Sequence, residues 1–208
     1  MEFKDEENGV MYKDEEEKKK LGHLRDIVEK QDPACKDIDD LTLRRFLRAR
    51  DLDVDKASAM LMKYLKWRRI FVPNGSISAS EITNQIAHNK MFMQGTDKKG
   101  CPVSVAFAAR HFPSKGGTDE LKRFMVFALD KLCSRIPDGQ EKFTIIADFQ
   151  EYGYSNTDVR GYVAALSILQ IIFVENKRLQ KTLLEEIDES QLPEIYGGKL
   201  QLVPIQDG

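Results

Sequence analysis

Apolar positions recur at helical spacing through the first third of the chain and collapse into short, unbroken runs in the rest. Between Leu21 and Val72 the spacing predicts three helices. They are LGHLRDIVEK, then DDLTLRRFLRAR opened by an aspartate cap, then DVDKASAMLMKYLKWRRIF opened by Asp53. On the last of these, Ala57, Met60, Leu61, Tyr64 and Leu65 form one i, i+3, i+4 stripe. Residues 1–20 instead alternate acidic and basic blocks with few apolar side chains, the pattern of a disordered tail or a solvated helix end. Pro73 and Gly75 break the helical period and mark a linker, beyond which Ser80 stands where it would cap the short helix EITNQIA.

The remainder alternates strand and helix. KMFMQ, the turn GTDKKG and CPVSVAFA read as a hairpin. Thr118 is placed to cap a helix bearing Leu121, Phe124, Met125, Ala128 and Leu132, and KFTIIADF reads as a strand apolar on both faces. The polar loop QEYGYSN is followed by a helix ending at Gln170, the strand IIFV, the helix KRLQKTLLEEI and the tail LPEIYGGKLQLVPI. Both-face apolar strands separated by helices predict an α/β lobe over residues 80–205, with a mixed, largely parallel sheet flanked by helices, beside a helical lobe over 21–72. One junction does not fit. Leu169, Gln170 and Ile171 pass from helix to strand with no Gly, Pro, Asn or Asp, where such connections normally take about 2–6 residues.

Composition narrows the possibilities. The 208 residues are 41% hydrophobic and 32% charged, enough to bury a real core, and the net charge of −2 supplies no global attraction to nucleic acid or anionic membranes. No apolar run approaches the roughly 20 residues of a membrane span, and the charged start has no signal-peptide core, so a cytoplasmic protein is expected. Cys35, Cys101 and Cys133 are scattered without CxxC spacing and are expected to be reduced, buried thiols.

Catalytic and metal motifs are missing. There is no G-x-G-x-x-G, G-x-S-x-G or H-E-x-x-H, and GTDKKGC has P-loop glycine spacing but Cys101 and Pro102 where Lys and Ser/Thr would be needed. His23, His88 and His111 lack partners at metal-ligand spacing. Asp148, at the carboxyl end of a buried strand, could act as a base, but with no His, Ser or second acid beside it a helix-capping or loop-fixing role is preferred. In LRRFLRARDLDVDKA, Phe46 and Leu47 face inward while Arg44, Arg45, Arg48 and Arg50 crowd into less than two turns. That cluster is either a solvated face paired to Asp40 or Asp51, or an anion site exploiting bidentate guanidinium geometry.

LTLRRFLRARDLDVDKASAMLMKYLKWRR, TDKKGCPV, TIIADFQEYG and LPEIYGGKL, in this order over roughly residues 21–205, resemble the CRAL-TRIO lipid-binding family, which includes phosphatidylinositol, phosphatidylcholine, tocopherol and retinal carriers. The resemblance implies a helical bundle beside an α/β lobe whose sheet floors an apolar pocket, closed over one lipid by a mobile amphipathic lid that also touches the membrane. It makes Arg50 a ligand of the phosphoinositol headgroup and assigns the pocket lining to Val103, Val105, Phe107, Phe143, Ile145, Ile146, Ile172 and Val174. Phe143 and Ile145 stand where family members that carry phosphocholine have Ser and Thr, so phosphatidylcholine specificity does not carry over. In LPEIYGG the resemblance is structural, with Pro193 starting a short helix and Gly197 ending it left-handed.

The resemblance also accounts for the turnless junction. Family members carry a loop with a Glu, an inner strand, the gate helix and a return bearing a Lys between the counterparts of Gln170 and Ile171, and all of this is absent here. A splice variant or an internal deletion would explain it. The expected function is binding and intermembrane transfer of a phospholipid, phosphatidylinositol first, impaired by loss of the gate. No catalysis, metal or cofactor is expected, and the partners are the lipid and a transient membrane surface, without nucleic acid. The chain is expected to be a monomer prone to association through uncovered apolar surface. The alternative is a protein-interaction or regulatory module that keeps the fold without lipid exchange, and a third reading, an α/β hydrolase, would show product from ester substrates.

Overall fold

The computed structural model describes residues 3–4, 11–12, 15–113, 117–157 and 179–208. The chain divides into two compact units, Met1–Ser76 and Ile77–Gly208.

The first unit opens with the antiparallel pair β1 (Phe3–Lys4) and β2 (Met11–Tyr12), followed by α1 (Glu15–Gln31), α2 (Asp40–Arg48) and α3 (Val54–Phe71). The charged block assigned to a tail is therefore partly helix. α1 takes in EEEKKK because its acidic first turn suits the positive end of the helix dipole, Glu16 pairs with Lys20 at 2.7 Å one turn on, and Glu17 is fully buried. Asp39 and Asp53 cap α2 and α3 by accepting from Thr42 N at 2.7 Å and Lys56 N at 3.0 Å. Leu21, Leu24 and Val28 of α1, Leu43 and Leu47 of α2, and Ala57 and Leu61 of α3 meet in one core around Cys35.

The second unit comprises α4 (Thr83–Ala87), β3 (Met91–Thr96), β4 (Pro102–Phe107), α5 (Thr118–Cys133), β5 (Thr144–Asp148), α6 (Leu179–Glu186) and β6 (Val203–Pro204). The sheet order is β5-β4-β3-β6, with β4 and β5 parallel and the other two pairings antiparallel. The expected strand IIFV and the junction at Gln170–Ile171 lie outside the described residues. GTDKKG is a turn as expected: Asp97 Oδ1 accepts from the backbone N of Lys99 and Cys101, both at 2.9 Å, and Gly100 takes φ 80°.

Two caps differ from the sequence reading. Ser78 rather than Ser80 forms the capping box, with Glu81 accepting from Ser78 N at 2.9 Å, and Glu120 receives the N–H groups at the start of α4. Thr118 is the first residue of α5, whose cap position is Gly117 and makes no side-chain bond. Of the thiols, Cys35 and Cys101 are buried, Cys133 is exposed, and none of the three is in a disulfide.

Candidate functional site

Strand alternation decides which candidate lining residues can share a surface. In register, Val105 stands between Phe92 on β3 and Ile146 on β5, and Val103 and Phe107 lie on the same face two residues to either side. This face is filled. Phe92, Val103 and Val105 pack with Ile187, Leu192 and Tyr196, and Phe107, Ile146, Leu183 and Leu184 close round them. Ile145 pairs with Ser104 and points to the opposite face, shared by Met91, Met93 and Ala106. There Ile145 is half-buried and Ala147, two residues on, is exposed; Phe143, half-buried, precedes the strand with the same parity. Val103, Val105, Phe107 and Ile146 thus come together and Ile145 does not join them, because a two-residue period cannot put neighbouring isoleucines on one face. Ile172 and Val174 lie outside the described residues.

The carboxylate at the end of β5 has a structural part to play. Asp148 Oδ1 accepts from Gln150 N at 2.8 Å, and Oδ2 accepts from the Tyr196 hydroxyl at 2.8 Å. Asp148 therefore fixes its own loop and latches the closing segment LPEIYGG onto the sheet. In that segment Gly197 takes φ 84° and its N–H donates to Glu194 O at 2.9 Å. Burial first, then the Asp148 carboxylate, push the Tyr196 phenol above its ordinary range. Tyr196→Phe should lower the stability of the second unit by about 1–3 kcal/mol in urea unfolding, the range of a hydrogen bond to a charged group. An unchanged midpoint would show that the latch holds nothing.

A second polar cluster escaped the sequence reading. Lys90, buried just before β3, donates to Gln85 Oε1 at 2.5 Å, faces His111 Nδ1 at 3.0 Å, and sits 4.9 Å over the Phe124 ring. Asn156, also buried, donates to Ala109 O at 2.7 Å and His111 O at 3.0 Å. These contacts tie α4, α5 and the loops at the carboxyl ends of β4 and β5 together. A lysine at a strand start has no sequence signal to distinguish this from an ordinary polar flank.

In the first unit the arginines separate by role. Arg48 Nε and Nη2 donate to the two oxygens of buried Glu17, the second at 2.8 Å, and Arg44 is wholly buried. Asp40, expected to pair within the cluster, accepts instead from Arg25 Nη2 at 2.5 Å. The pairing is therefore between helices, since α2 lies against α1. Arg50 is exposed, and among the described residues its guanidinium bonds only to the carbonyl of Ala49, at 2.9 Å. It sits at the mouth of a sharp turn in which Asp51 and Leu52 take φ 52° and 62°, a left-handed backbone that is costly for leucine and is offset by packing of Leu52 against the helical core.

Open depressions of about 440 Å³ beside Gln180, Lys181, Leu184 and Glu185, and of about 400 Å³ between Arg25 and Leu41, include none of the sequence-derived lining residues. Among the described residues no cluster of His, Cys, Asp and Glu could hold a metal ion, and no helix is long and apolar enough to cross a membrane.

Comparison with known proteins adds to this geometry. The CRAL/TRIO domain matches residues 86–176, and the CRAL/TRIO N-terminal domain matches residues 5–63. An alpha-tocopherol transfer protein-like protein of Homo sapiens is 28% identical over 155 residues, covering 72% of this chain and 44% of the relative. A phosphatidylinositol transfer protein of Eremothecium gossypii is 26% identical over 133 residues, 59% of this chain and 30% of the relative. A phosphatidylinositol/phosphatidylcholine transfer protein of Arabidopsis thaliana is 26% identical over 216 residues, 76% of this chain and 34% of the relative. The chain spans less than half the length of each of these relatives. The last alignment is longer than the 208-residue chain although it takes in only 76% of it, so that relative carries residues with no counterpart here.

Proposed function

Because the chain belongs to the CRAL/TRIO family, we propose that it binds a phospholipid, phosphatidylinositol first, and exchanges it with membrane surfaces, with exchange impaired by the missing gate. The observation that carries this reading is the contrast among the arginines. Arg48 is committed to Glu17, whereas Arg50 is exposed and held at its turn by a single backbone carbonyl, which leaves its planar fork available to a phosphate. The names of two relatives, both phosphatidylinositol transfer proteins, support the choice of headgroup.

Both faces of the sheet are filled at β3 and β4, and the β5 end of the face opposite Val105 is left partly open to a lipid. We assign Val103 and Val105 to the core and place the acyl chains against Phe143, Ile145 and Ala147, the face on which β5 keeps apolar side chains partly open. Lipid extracted from the purified chain and identified by mass spectrometry tests the reading. A stoichiometric phospholipid supports it, and a chain that purifies without lipid and takes none up from vesicles overturns it. That second result would favour a fold-retaining interaction module, a reading to which the tight packing around Val103 and Val105 already lends weight.

Arg50→Ala should weaken phosphatidylinositol binding by about 1–3 kcal/mol, the size of one charge-assisted contact, and leave tocopherol-like neutral lipophiles unaffected. Titrating both ligand types against the variant checks this, since an equal loss for both would mean damage to packing rather than to headgroup recognition.

A further inference from the structure

We propose that the carboxyl-terminal half of α3 is a docking face for anionic bilayers, in the first unit rather than in the lobe where the lid is expected. The sequence pattern placed Tyr64 on the core stripe of α3, but the structure turns the helix so that Ala57 and Leu61 fill the core and an aromatic ladder runs down the outer flank. Phe46 of α2 meets Tyr64 in a tilted pair with centroids 5.2 Å apart, Tyr64 lies 6.0 Å from Trp67, and Trp67 stacks on Phe71 at 5.2 Å. Trp67 remains 42% exposed and Ile70, beside it, 74% exposed, which is a large apolar area to leave in water at the end of a helix.

Charge identifies the occupant. Met62–Phe71 holds Lys63, Lys66, Arg68 and Arg69 and no acidic residue. Arg69 is engaged by Asp32, but Lys63 and Lys66 are exposed and form no ion pair with any described residue. At helical spacing Lys63 and Lys66 lie on either side of Ile70, with Lys63 between Ile70 and Trp67, so the charges sit within and beside the apolar strip. Aromatic rings with an apolar body and a polar edge settle at the headgroup level of a bilayer, and lysines beside them are drawn to anionic lipid while their stems cover the apolar strip. A protein partner would need acids facing both lysines and a pocket for the tryptophan, whereas a bilayer needs neither. The slightly acidic chain as a whole makes this patch local, which suits weak, reversible contact.

Trp67 is the single tryptophan of the chain, so intrinsic fluorescence reports on this face alone. Adding phosphatidylcholine vesicles containing phosphatidylserine to the full chain should shift the Trp67 emission to the blue, brominated acyl chains should quench it, and the protein should sediment with the vesicles. Lys63→Gln and Lys66→Gln should each lower partitioning roughly fivefold, on the order of 25-fold together, with the circular dichroism spectrum unchanged. Raising the salt should reduce binding in the same way. Emission that does not move, an equal shift with pure phosphatidylcholine, or a tryptophan already blue-shifted and shielded from acrylamide in the free chain would each overturn the proposal. So would a protein that takes up lipid yet stays in the supernatant, a result that leaves lipid binding standing while removing this surface from the exchange.

Discussion

Val105→Asp should remove much of the stability of the second unit. Val105 is fully buried at the centre of the sheet, flanked in register by Phe92 and Ile146 and covered by Ile187, Leu192 and Tyr196. A carboxylate there replaces methyl groups packed against apolar neighbours, and the one hydroxyl in the cluster, on Tyr196, is already given to Asp148. Loss of packing and an uncompensated buried charge together cost about 4–5 kcal/mol or more, against a total stability of roughly 5–15 kcal/mol for a domain. Ile145→Asp is the matched control. Its side chain is half-buried on the other face of β5, the end strand of the described sheet, where water can reach a charge, and the variant should stay folded with a loss of about 1–2 kcal/mol while lipid uptake falls. Near-ultraviolet circular dichroism and urea titration separate the two. A Val105→Asp chain with native spectra and an unchanged midpoint would show that this face is not core and return it to the list of lipid surfaces.

The helical unit was the more legible part of the fold because its signals are local. Asp39 and Asp53 are caps whose partners lie three residues away, and the apolar period of α3 put Ala57 and Leu61 in the core. What local pattern could not reach was the partner of each charge. Glu17 reads as one more acid in a solvated block until Arg48, far along the chain, is brought against it, and Asp40 reads as a partner of its own helix until Arg25 takes it. The start of α1 was missed for the same reason. A charged run is a tail only if nothing folds over to neutralise it.

In the α/β unit the strands were evident, but their faces were not. In TIIAD the apolar residues Ile145, Ile146 and Ala147 are consecutive, so the alternation that would assign Ile145 and Ile146 to opposite sides is written in the backbone and not in the residue types. The register with β4 settles it, as the register with Phe92 does for Val105. For Asp148 the sequence left helix capping and loop fixing open over catalysis, because no acid–base partner accompanied it, and the structure shows it holding its loop through Gln150 N. Tyr196 as its second contact required the closing segment to fold back across some fifty residues of chain, which no spacing rule anticipates.

Restoring the inner strand and gate between Gln170 and Ile171 should raise phosphatidylinositol transfer by at least an order of magnitude. If the segment carries the lid and two of the three headgroup ligands, each charge-assisted contact being worth about 1–3 kcal/mol, their joint loss of about 2–6 kcal/mol weakens the bound state by at least about 30-fold. The sequence at the junction argues for a removed piece, because a helix that meets a strand at Leu169–Gln170–Ile171 must give up part of its last turn to reverse direction. The alignment with the Arabidopsis thaliana relative, longer than this chain, is what such a piece would produce. Loss of a strand and lid there would uncover apolar sheet, so the restored form should melt higher and aggregate less at the same concentration. Vesicle-to-vesicle transfer measured beside thermal unfolding, on this chain and on the restored form, separates the two consequences. Faster transfer with an unchanged melting point would assign the segment to lipid exchange alone, a higher melting point with unchanged transfer would assign it to the fold, and equality in both would mean that the junction is the native connection and the segment was never part of this protein.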